Sequence, residues 1–498
     1  MIDLQKKYID AYNRLLDTLA GANSSRLFWA TDFASKNRFS CPLPDILEKL
    51  CAGAEIEDAV ILDVRLKRMA GVFYHACVLA VRILKARRLL KKIDAVKRYV
   101  VIKVFIYDHS FTNDGLYKDV FLGPLLEHLK PKNNVLVYAQ VLGDYDSCLK
   151  KMAAADVPMV PIEAVLSFKD VARAAREWFF TPVKVPAPFL FMGKDVAGLL
   201  RRYFDRSFKG VQMRQFIQYW AARNLARRVS IDTFYMTYEN YPWERMTIRA
   251  LREASPSTRI LGIQHTVVPQ AFLNYFTSAS EAKEGLLPDK IFTTGEVTAR
   301  IIREYSSAPA PLVQAGCALR FGHIDQIPAA ARRPVKNILL ALEASLKTEP
   351  MVRYVFEQLK DHPHDQVRIR THPLLPWASF ERRLGLKAGN NITVSNGSLK
   401  DDLQWADALV YWSTTVSMEA LMMGKPVIHF DAGGVLSFDP LFECPHLKWK
   451  VNASVSLEPI LNEINALSPS QFIQIQTNAR QYLQAYFHPV TPQALAQL

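Results

Sequence analysis

Three short segments carry side chains suited to holding an anion, and each follows a strand-like run. Glu343-Ala344-Ser345 follows ILLAL, and Thr371-His372-Pro373 follows VRIR. The third, Ser413-Thr414-Thr415-Val416-Ser417-Met418-Glu419-Ala420, follows ALVYW and enters a helical pattern that stops at Gly424-Lys425-Pro426. Hydroxyl groups and free backbone N–H groups at the start of a helix suit a phosphate, because orphan donors and the helix dipole both favour negative charge. An imidazole on the neighbouring loop can donate to the same phosphate or stabilise a leaving group. Glu419, about one turn into the helix, can accept hydrogen bonds from ribose hydroxyls. A second His-Pro pair, His362-Pro363, sits in the polar stretch DHPHD, before a strand rather than at its end. It is set aside for that reason.

Residues of these types act together only if the chain aligns the loops that bear them. Short β-branched or apolar runs alternate with helical stretches along most of the length. Strands are expected at residues 27–31, 101–107, 134–140, 233–238, 259–264 and 291–294. A second set is expected at 337–342, 366–370, 392–394, 408–411 and 426–430. Strands alternating with helices indicate parallel sheets covered on both faces, so the class is α/β. In such sheets ligands bind beyond the carboxyl ends of the strands, where all three loops fall. Residues 306–311 (SSAPAP) and 328–334 read as loop or linker, which divides the chain into Rossmann-like halves at residues 1–310 and 311–498.

With 498 residues, half of them hydrophobic and 22% charged, the chain is neither disordered nor fibrous and can bury large cores. Its net charge of +14 is localised. From Arg82 to Arg98 there are eight Lys/Arg and one acid, and from Arg201 to Arg228 again eight and one. These two runs account for the whole excess. Apolar residues at helical spacing accompany both: Leu84, Leu89, Leu90 and Ile93 in one, and Tyr203, Phe204, Phe208, Phe216, Tyr219 and Trp220 in the other. Basic amphipathic helices of this kind lie on anionic membrane surfaces. No zinc-finger or RNA-recognition pattern is present, so nucleic acid is not expected as a partner.

The six cysteines are scattered without a C-x-x-C pair, which argues against disulfides and zinc. The N-terminal residues lack the apolar core of a signal peptide, and no stretch reaches 18 uncharged apolar residues. The expected location is cytoplasmic, with peripheral attachment at the inner face of the cell membrane. Dinucleotide, P-loop, zincin and nucleophile-elbow motifs are all absent from the sequence.

The run STTVSMEALMMGKPVI resembles the donor-binding half of GT-B glycosyltransferases, where a Ser/Thr loop precedes E-A-x-x-x-G-x-P-V. Together with RTHP it is similar to the His-Pro and Ser-Ser/Thr motifs of bacterial sialyltransferases, Kdo transferases and capsule polymerases. The resemblance implies two Rossmann-like domains whose parallel sheets face a central cleft. It also implies a CMP-activated acidic sugar as donor, with no cofactor beyond that co-substrate. His372-Pro373 and Ser413, Thr414 and Thr415 would hold the CMP phosphate and Glu419 the ribose, with Glu343, Ser345 and Ser417 completing the donor loops. In the first half, TYENYPWERMTIRAL and GIQHTVVPQ resemble bacterial surface-carbohydrate biosynthesis proteins. Gln264-His265 is similar to the Q-H-G loop of Kdo and glycerol-phosphate polymer transferases, with Thr266 in place of Gly. WATDFASKNRFSCPL and YKDVFLGPLLEHL resemble the same group, so the likeness spans roughly residues 27–430.

Inversion at an anomeric carbon requires a base for the acceptor hydroxyl proton, and the resemblance places it in the first half. Glu239, His265 and Asp114 (in Asn113-Asp114-Gly115) are the candidates, with Asp32, Lys36, Asn37 and Glu244 as acceptor contacts. Asp144-Tyr145-Asp146 is similar to the D-x-D metal motif of the other major glycosyltransferase fold but lacks that fold's layout, so no metal is expected. The reading is a metal-independent inverting GT-B glycosyltransferase of capsule or lipopolysaccharide assembly. A Kdo or sialic-type sugar would pass to an oligosaccharide or lipid-linked acceptor. A nucleotide-sugar epimerase of the same fold and a non-catalytic scaffold of a membrane glycan complex are the alternatives. They differ in acceptor dependence and nucleotide release.

Overall fold

The computed structural model describes residues 2–53, 65–112, 114–207, 210–307, 312–359, 365–387 and 391–498. The chain forms two compact units. One comprises Met1–Thr266, Phe272–Arg320 and Val490–Leu498, the other Val267–Ala271 and Phe321–Pro489. The passage between them falls at 320/321, beyond the division at 310/311 expected from the loop composition. The last residues return to the first unit, where the Leu498 carbonyl accepts from Tyr235 Oη at 3.2 Å. Residues 308–311 of the expected linker, His362-Pro363, Asn113 and the Phe208 side chain lie outside the described residues.

The first unit is built on seven strands: β1 (Arg98–Ile106), β2 (Val135–Val141), β3 (Met159–Pro161), β6 (Ser230–Thr237), β7 (Arg259–Ile263), β8 (Lys290–Thr293) and β9 (Val313–Ala315). Their order is β3-β2-β1-β6-β7-β8-β9, with every pairing parallel. A two-stranded hairpin, β4 (Leu190–Phe191) with β5 (Lys194–Asp195), stands apart. The chain starts at β1, builds outward to β3, and returns to the other side of β1 as β6. Connections leaving β1 and β6 therefore diverge, which opens a crevice at their carboxyl ends. RYVVIKVFI is apolar nearly throughout because both faces of a parallel strand are covered. Arg98 at its exposed start apart, Lys103 is the exception. It is fully buried, with Nζ 3.3 Å from Gln140 Oε1 and 4.7 Å from the Trp243 ring centre, and burial lowers its pKa to about 7.

The second unit repeats the plan with β10 (Asn337–Ala341), β11 (Gln366–Arg370), β12 (Ile392–Val394), β13 (Ala408–Tyr411), β14 (Val427–Phe430) and β15 (Lys448–Val451), in the order β12-β11-β10-β13-β14-β15. All pairings are again parallel, and the reversal lies between β10 and β13. Ile338, Leu340, Val355, Phe380, Val410 and Ile428 form its core. Both units are thus Rossmann-like, and the fold is α/β as expected.

Two expectations are corrected. Residues 27–31 are not a strand: Leu27, Phe28 and Trp29 are buried in the short helix Arg26–Trp29, and Thr31 caps the next helix, Asp32–Ser35. Ser25 accepts from Leu27 N and Thr31 from Ala34 N, two and three residues ahead, which sets two helix starts where the apolar run alone reads as extended. The run from Arg82 to Arg98 is not one amphipathic helix either. It is the end of helix Arg65–Ala86, the 3-10 turn Arg87–Lys92 and the start of β1. Its supposed apolar stripe is split, since Leu89 is 2% exposed and Leu84 61%. In the second run Tyr203, Phe204, Phe216, Tyr219 and Trp220 are all buried, on helices Ala197–Ser207 and Gly210–Arg228.

Candidate functional site

In the first unit the chain leaves β6 through Tyr238, Glu239 and Asn240. Asn240 takes a left-handed conformation (φ 59°), which a short polar side chain tolerates. Its amide fixes the bend: Nδ2 donates to the Asn274 carbonyl (2.9 Å) and to Glu281 Oε1 (2.8 Å), and Oδ1 accepts from Arg245 Nε (3.0 Å). Glu244 holds the other side, its carboxylate accepting from the backbone N–H of Glu239 (3.0 Å) and of Tyr241 (2.8 Å). This is the reciprocal cap of helix Pro242–Ala254. With its backbone clamped, Glu239 turns its side chain to Thr266 Oγ1, which donates to Oε1 at 3.1 Å, and to Tyr275 Oη at 3.4 Å.

The carboxylate is half-buried. Burial pushes its pKa up, and the Thr266 hydroxyl, the Arg320 charge and the Tyr275 and Tyr241 hydroxyls pull against it; burial prevails. A carboxylate raised toward neutrality is a stronger base than a free one, which suits it to accept a hydroxyl proton. Thr266, the departure from the Q-H-G pattern, thus orients this carboxylate. His265 is different. Burial and the Arg320 charge lower its pKa to about 3, so the ring is neutral. It packs edge-on to Phe121 at 4.7 Å, with no hydrogen-bond partner for Nδ1. An imidazole this weakly basic is a poor proton acceptor but can still hydrogen-bond a hydroxyl.

The remaining residues expected in this half divide. Asn37 is buried and donates from Nδ2 to Tyr241 Oη (2.9 Å), so it acts on the carboxylate at one remove. Lys36 is turned inward, where its ammonium group serves as an internal tie. It is fully buried and donates to Glu281 Oε2 (2.9 Å), Asn13 Oδ1 (3.2 Å) and the Phe276 carbonyl (2.5 Å). Glu244 is likewise fully buried, and the helix cap uses its oxygens. Asp32 stands half-buried in the first turn of Asp32–Ser35, within electrostatic reach of Cys41 and Tyr203 rather than of Glu239. Asp114 is exposed and receives the Thr112 hydroxyl within a turn. Asp144 caps helix Tyr145–Ala154 through Ser147 N (2.7 Å) and Asp146 pairs with Lys85 (2.6 Å), so D-Y-D is spent on local structure. Among the described residues no group of three His, Cys, Asp or Glu is placed to hold a metal.

In the second unit all three anion-suited loops lie at carboxyl ends flanking the β10/β13 reversal. Glu343, half-buried after β10, has its pKa raised by burial, against a hydrogen bond from Ala344 N (2.9 Å) and the charge of His372 after neighbouring β11. His372 Nδ1 accepts from Leu374 N (3.2 Å), which leaves Nε2 to donate to an anion. Pro373 is exposed in that turn. Ser345 Oγ accepts from Lys347 N (3.2 Å). Ser413 and Thr414 are largely covered, Thr415 half-exposed. Thr414 Oγ1 accepts from Val416 N (3.3 Å), and Ser417 Oγ donates to the Thr414 carbonyl (2.7 Å). Ser417 is fully buried and braces the loop instead of facing a ligand. Glu419 Oε2 lies 3.8 Å from His323 Nε2, and this contact raises the His323 pKa. His323, Tyr275 and Arg320 carried no motif in the sequence; only folding brings them to these carboxylates.

No protein-family model matches the chain, and no curated protein matches it. Solved structures do resemble it in outline. A trehalose-6-phosphate synthase from Burkholderia multivorans aligns with TM-score 0.47 and 11% identity over 81% of this chain and 97% of its own. A glycosyltransferase from Rickettsia africae aligns with TM-score 0.44 and 10% identity over 81% and 96%. A UDP-GlcNAc 2-epimerase from Neisseria meningitidis, bound to UDP-GlcNAc, gives 0.42 and 10% over 80% and 98%. At such scores the likeness assigns no activity to this chain, so function rests on its own residues.

Proposed function

We propose that the chain is an inverting GT-B glycosyltransferase in which Glu239 takes the proton of an acceptor hydroxyl. The observation that carries this is a half-exposed carboxylate, clamped at the switch point of one sheet, oriented by Thr266 and Tyr275, and raised in pKa by burial. As the acceptor oxygen attacks the anomeric carbon, its proton passes to Glu239 and the nucleotide departs with the glycosidic electron pair. In the second unit His372 Nε2–H with Ser413, Thr414 and Thr415 holds the phosphate, and Glu419, kept in place by His323, receives the ribose hydroxyls. The donor is a CMP-linked acidic sugar of the Kdo or sialic type, as the RTHP and STTVSMEA motifs suggest, and the acceptor a bacterial surface polysaccharide or its lipid-linked precursor. No resident metal or cofactor is invoked.

Attachment to an anionic bilayer completes the reading. Among the described residues no helix is long and apolar enough to cross a membrane. Val81 and Leu84 are exposed beside Lys85, Arg88 and Lys91, a mixed apolar and basic face that suits a lipid surface.

Thermal-shift binding with CMP-, UDP-, GDP- and CDP-linked donors tests the donor, and absence of stabilisation by any cytidine nucleotide would reject the CMP assignment. Nucleotide release that depends on an added acceptor marks a transferase. Sugar conversion without an acceptor would mark an epimerase, and no release at all a scaffold.

A further inference from the structure

The two basic runs, far apart in sequence, meet at the amino-terminal edge of the first sheet. Arg87 lies in the 3-10 turn Arg87–Lys92 that leads into β1, and Arg227 and Arg228 in the last turn of helix Gly210–Arg228 that leads into β6. Because β1 and β6 are neighbours and parallel, with Arg98 beside Ser230, the segments feeding them converge. Together with Leu90, Asn224 and the loop before helix Phe168–Phe180 they line a cavity of about 640 Å³. The eight residues of β6 separate this edge from Glu239 by roughly 25 Å.

The cavity is cationic. Asp170 is the one acid lining it, and its Oδ2 already accepts from Ser167 N (2.9 Å), Ser167 Oγ (2.6 Å) and Asn224 Nδ2 (2.9 Å). Three guanidinium groups against one satisfied carboxylate leave two positive charges. Among the described residues, none of the three arginines has a carboxylate within ion-pair distance. Arg87 only overlies the Phe168 ring, at 5.7 Å. The N-terminus of the 13-residue helix Phe168–Phe180 adds its dipole to the same space. Arginine forks match phosphate geometry and remain charged at every accessible pH.

We propose that this cavity binds a phosphate-class dianion, a monophosphate or pyrophosphate group, through Arg87, Arg227 and Arg228. The group is either the headgroup of a lipid or a free phosphate compound, and the site is separate from the nucleotide-sugar loops and from Glu239.

The test uses the full chain, titrated calorimetrically with inorganic pyrophosphate and sedimented with phosphatidylcholine vesicles with or without phosphatidic acid. A triple variant, Arg87→Gln with Arg227→Gln and Arg228→Gln, is compared with Lys118→Gln, Lys132→Gln and Lys283→Gln, which removes equal charge from exposed positions elsewhere in the unit. The cavity variant is expected to bind pyrophosphate roughly tenfold or more weakly, and the matched variant like wild type. Parallel loss of phosphatidic-acid binding in the cavity variant identifies a lipid headgroup; unchanged vesicle binding identifies a free phosphate compound. Equal losses in both variants, or no pyrophosphate binding by wild type, would overturn the site. No sugar nucleotide takes part, so the outcome is independent of whether Glu239 is a catalytic base.

Discussion

Glu239 and His265 lie at the ends of neighbouring strands and illustrate how surroundings select one base over another. His265 is buried and Glu239 partly so, and burial moves a carboxylate toward greater basicity and an imidazole toward less. Hence Glu239→Gln is expected to lower turnover by roughly 10²–10⁴-fold while leaving donor-induced thermal stabilisation intact. Full activity in that variant, read by nucleotide release, would exclude Glu239 as the base. Turnover should fall as pH drops through the raised Glu239 pKa, because only the carboxylate accepts a proton. Stability responds in the opposite sense. A folded pKa above the unfolded one means the ionised group costs stability above that folded pKa, so Glu239→Gln should melt higher at neutral pH. The gain should shrink as pH falls from the folded pKa toward the unfolded one and be gone below it, which scanning calorimetry across pH can read. In the second unit His372→Ala removes one charge-assisted donor and is expected to weaken nucleotide binding roughly tenfold.

Elements hold these side chains in place through buried polar clusters. Glu281 joins Lys36 (2.9 Å) and Arg245 with all three side chains essentially inaccessible, and Asn240 Nδ2 ties the bend after β6 to the same carboxylate. Burial alone would raise the Glu281 pKa, but the charges of Lys36 and Arg245 outweigh it and hold the pKa to about 2. Its stabilising contribution is therefore full above the unfolded pKa and is lost as pH falls toward 2. Glu281→Gln strands two buried cations and is expected to cost about 3–5 kcal/mol in denaturant unfolding. It should also flatten the loss of stability between pH ~4 and 2 that the wild type shows. At the end of helix Val416–Met422, Gly424 has φ +79° and a Cβ there would stand 2.0 Å from Gln476 Nε2. Gly424→Ala should lower stability by about 1–2 kcal/mol from the left-handed conformation alone, measured by the same unfolding.

At the scale of the molecule, the two basic runs contribute to two different surfaces of the first unit. Lys85, Arg88 and Lys91 stand beside exposed Val81 and Leu84, whereas Arg87, Arg227 and Arg228 line a cavity. Reversing Arg88 and Lys91 to Glu is expected to reduce sedimentation with anionic vesicles and leave cytidine-nucleotide binding unchanged, since the nucleotide loops belong to the other unit. Raising salt should weaken the vesicle interaction in wild type, because exposed charges are screened within about 8–10 Å.

Local pattern alone determined most of the architecture. Apolar runs such as NILLA, ALVY and VIHF are strands because parallel sheets covered on both faces demand continuous burial, and loops at their carboxyl ends follow from the βα alternation. The strand-end positions of His372, Ser413 and Glu343 were legible for this reason. Residues 27–31 were not: a four-residue buried helix and a strand look alike in composition, and two capping hydroxyls decided between them. Lys36 and Glu244 have the types of binding residues, yet their partners Glu281 and the N–H groups of the bend are set by tertiary packing, which turned both into supports. The same holds for Thr266, which orients Glu239, and for Arg227 with Arg87, which share a cavity. Strand order put those pairs together, and charge, burial and pKa depend on the neighbours in space that strand order alone selects.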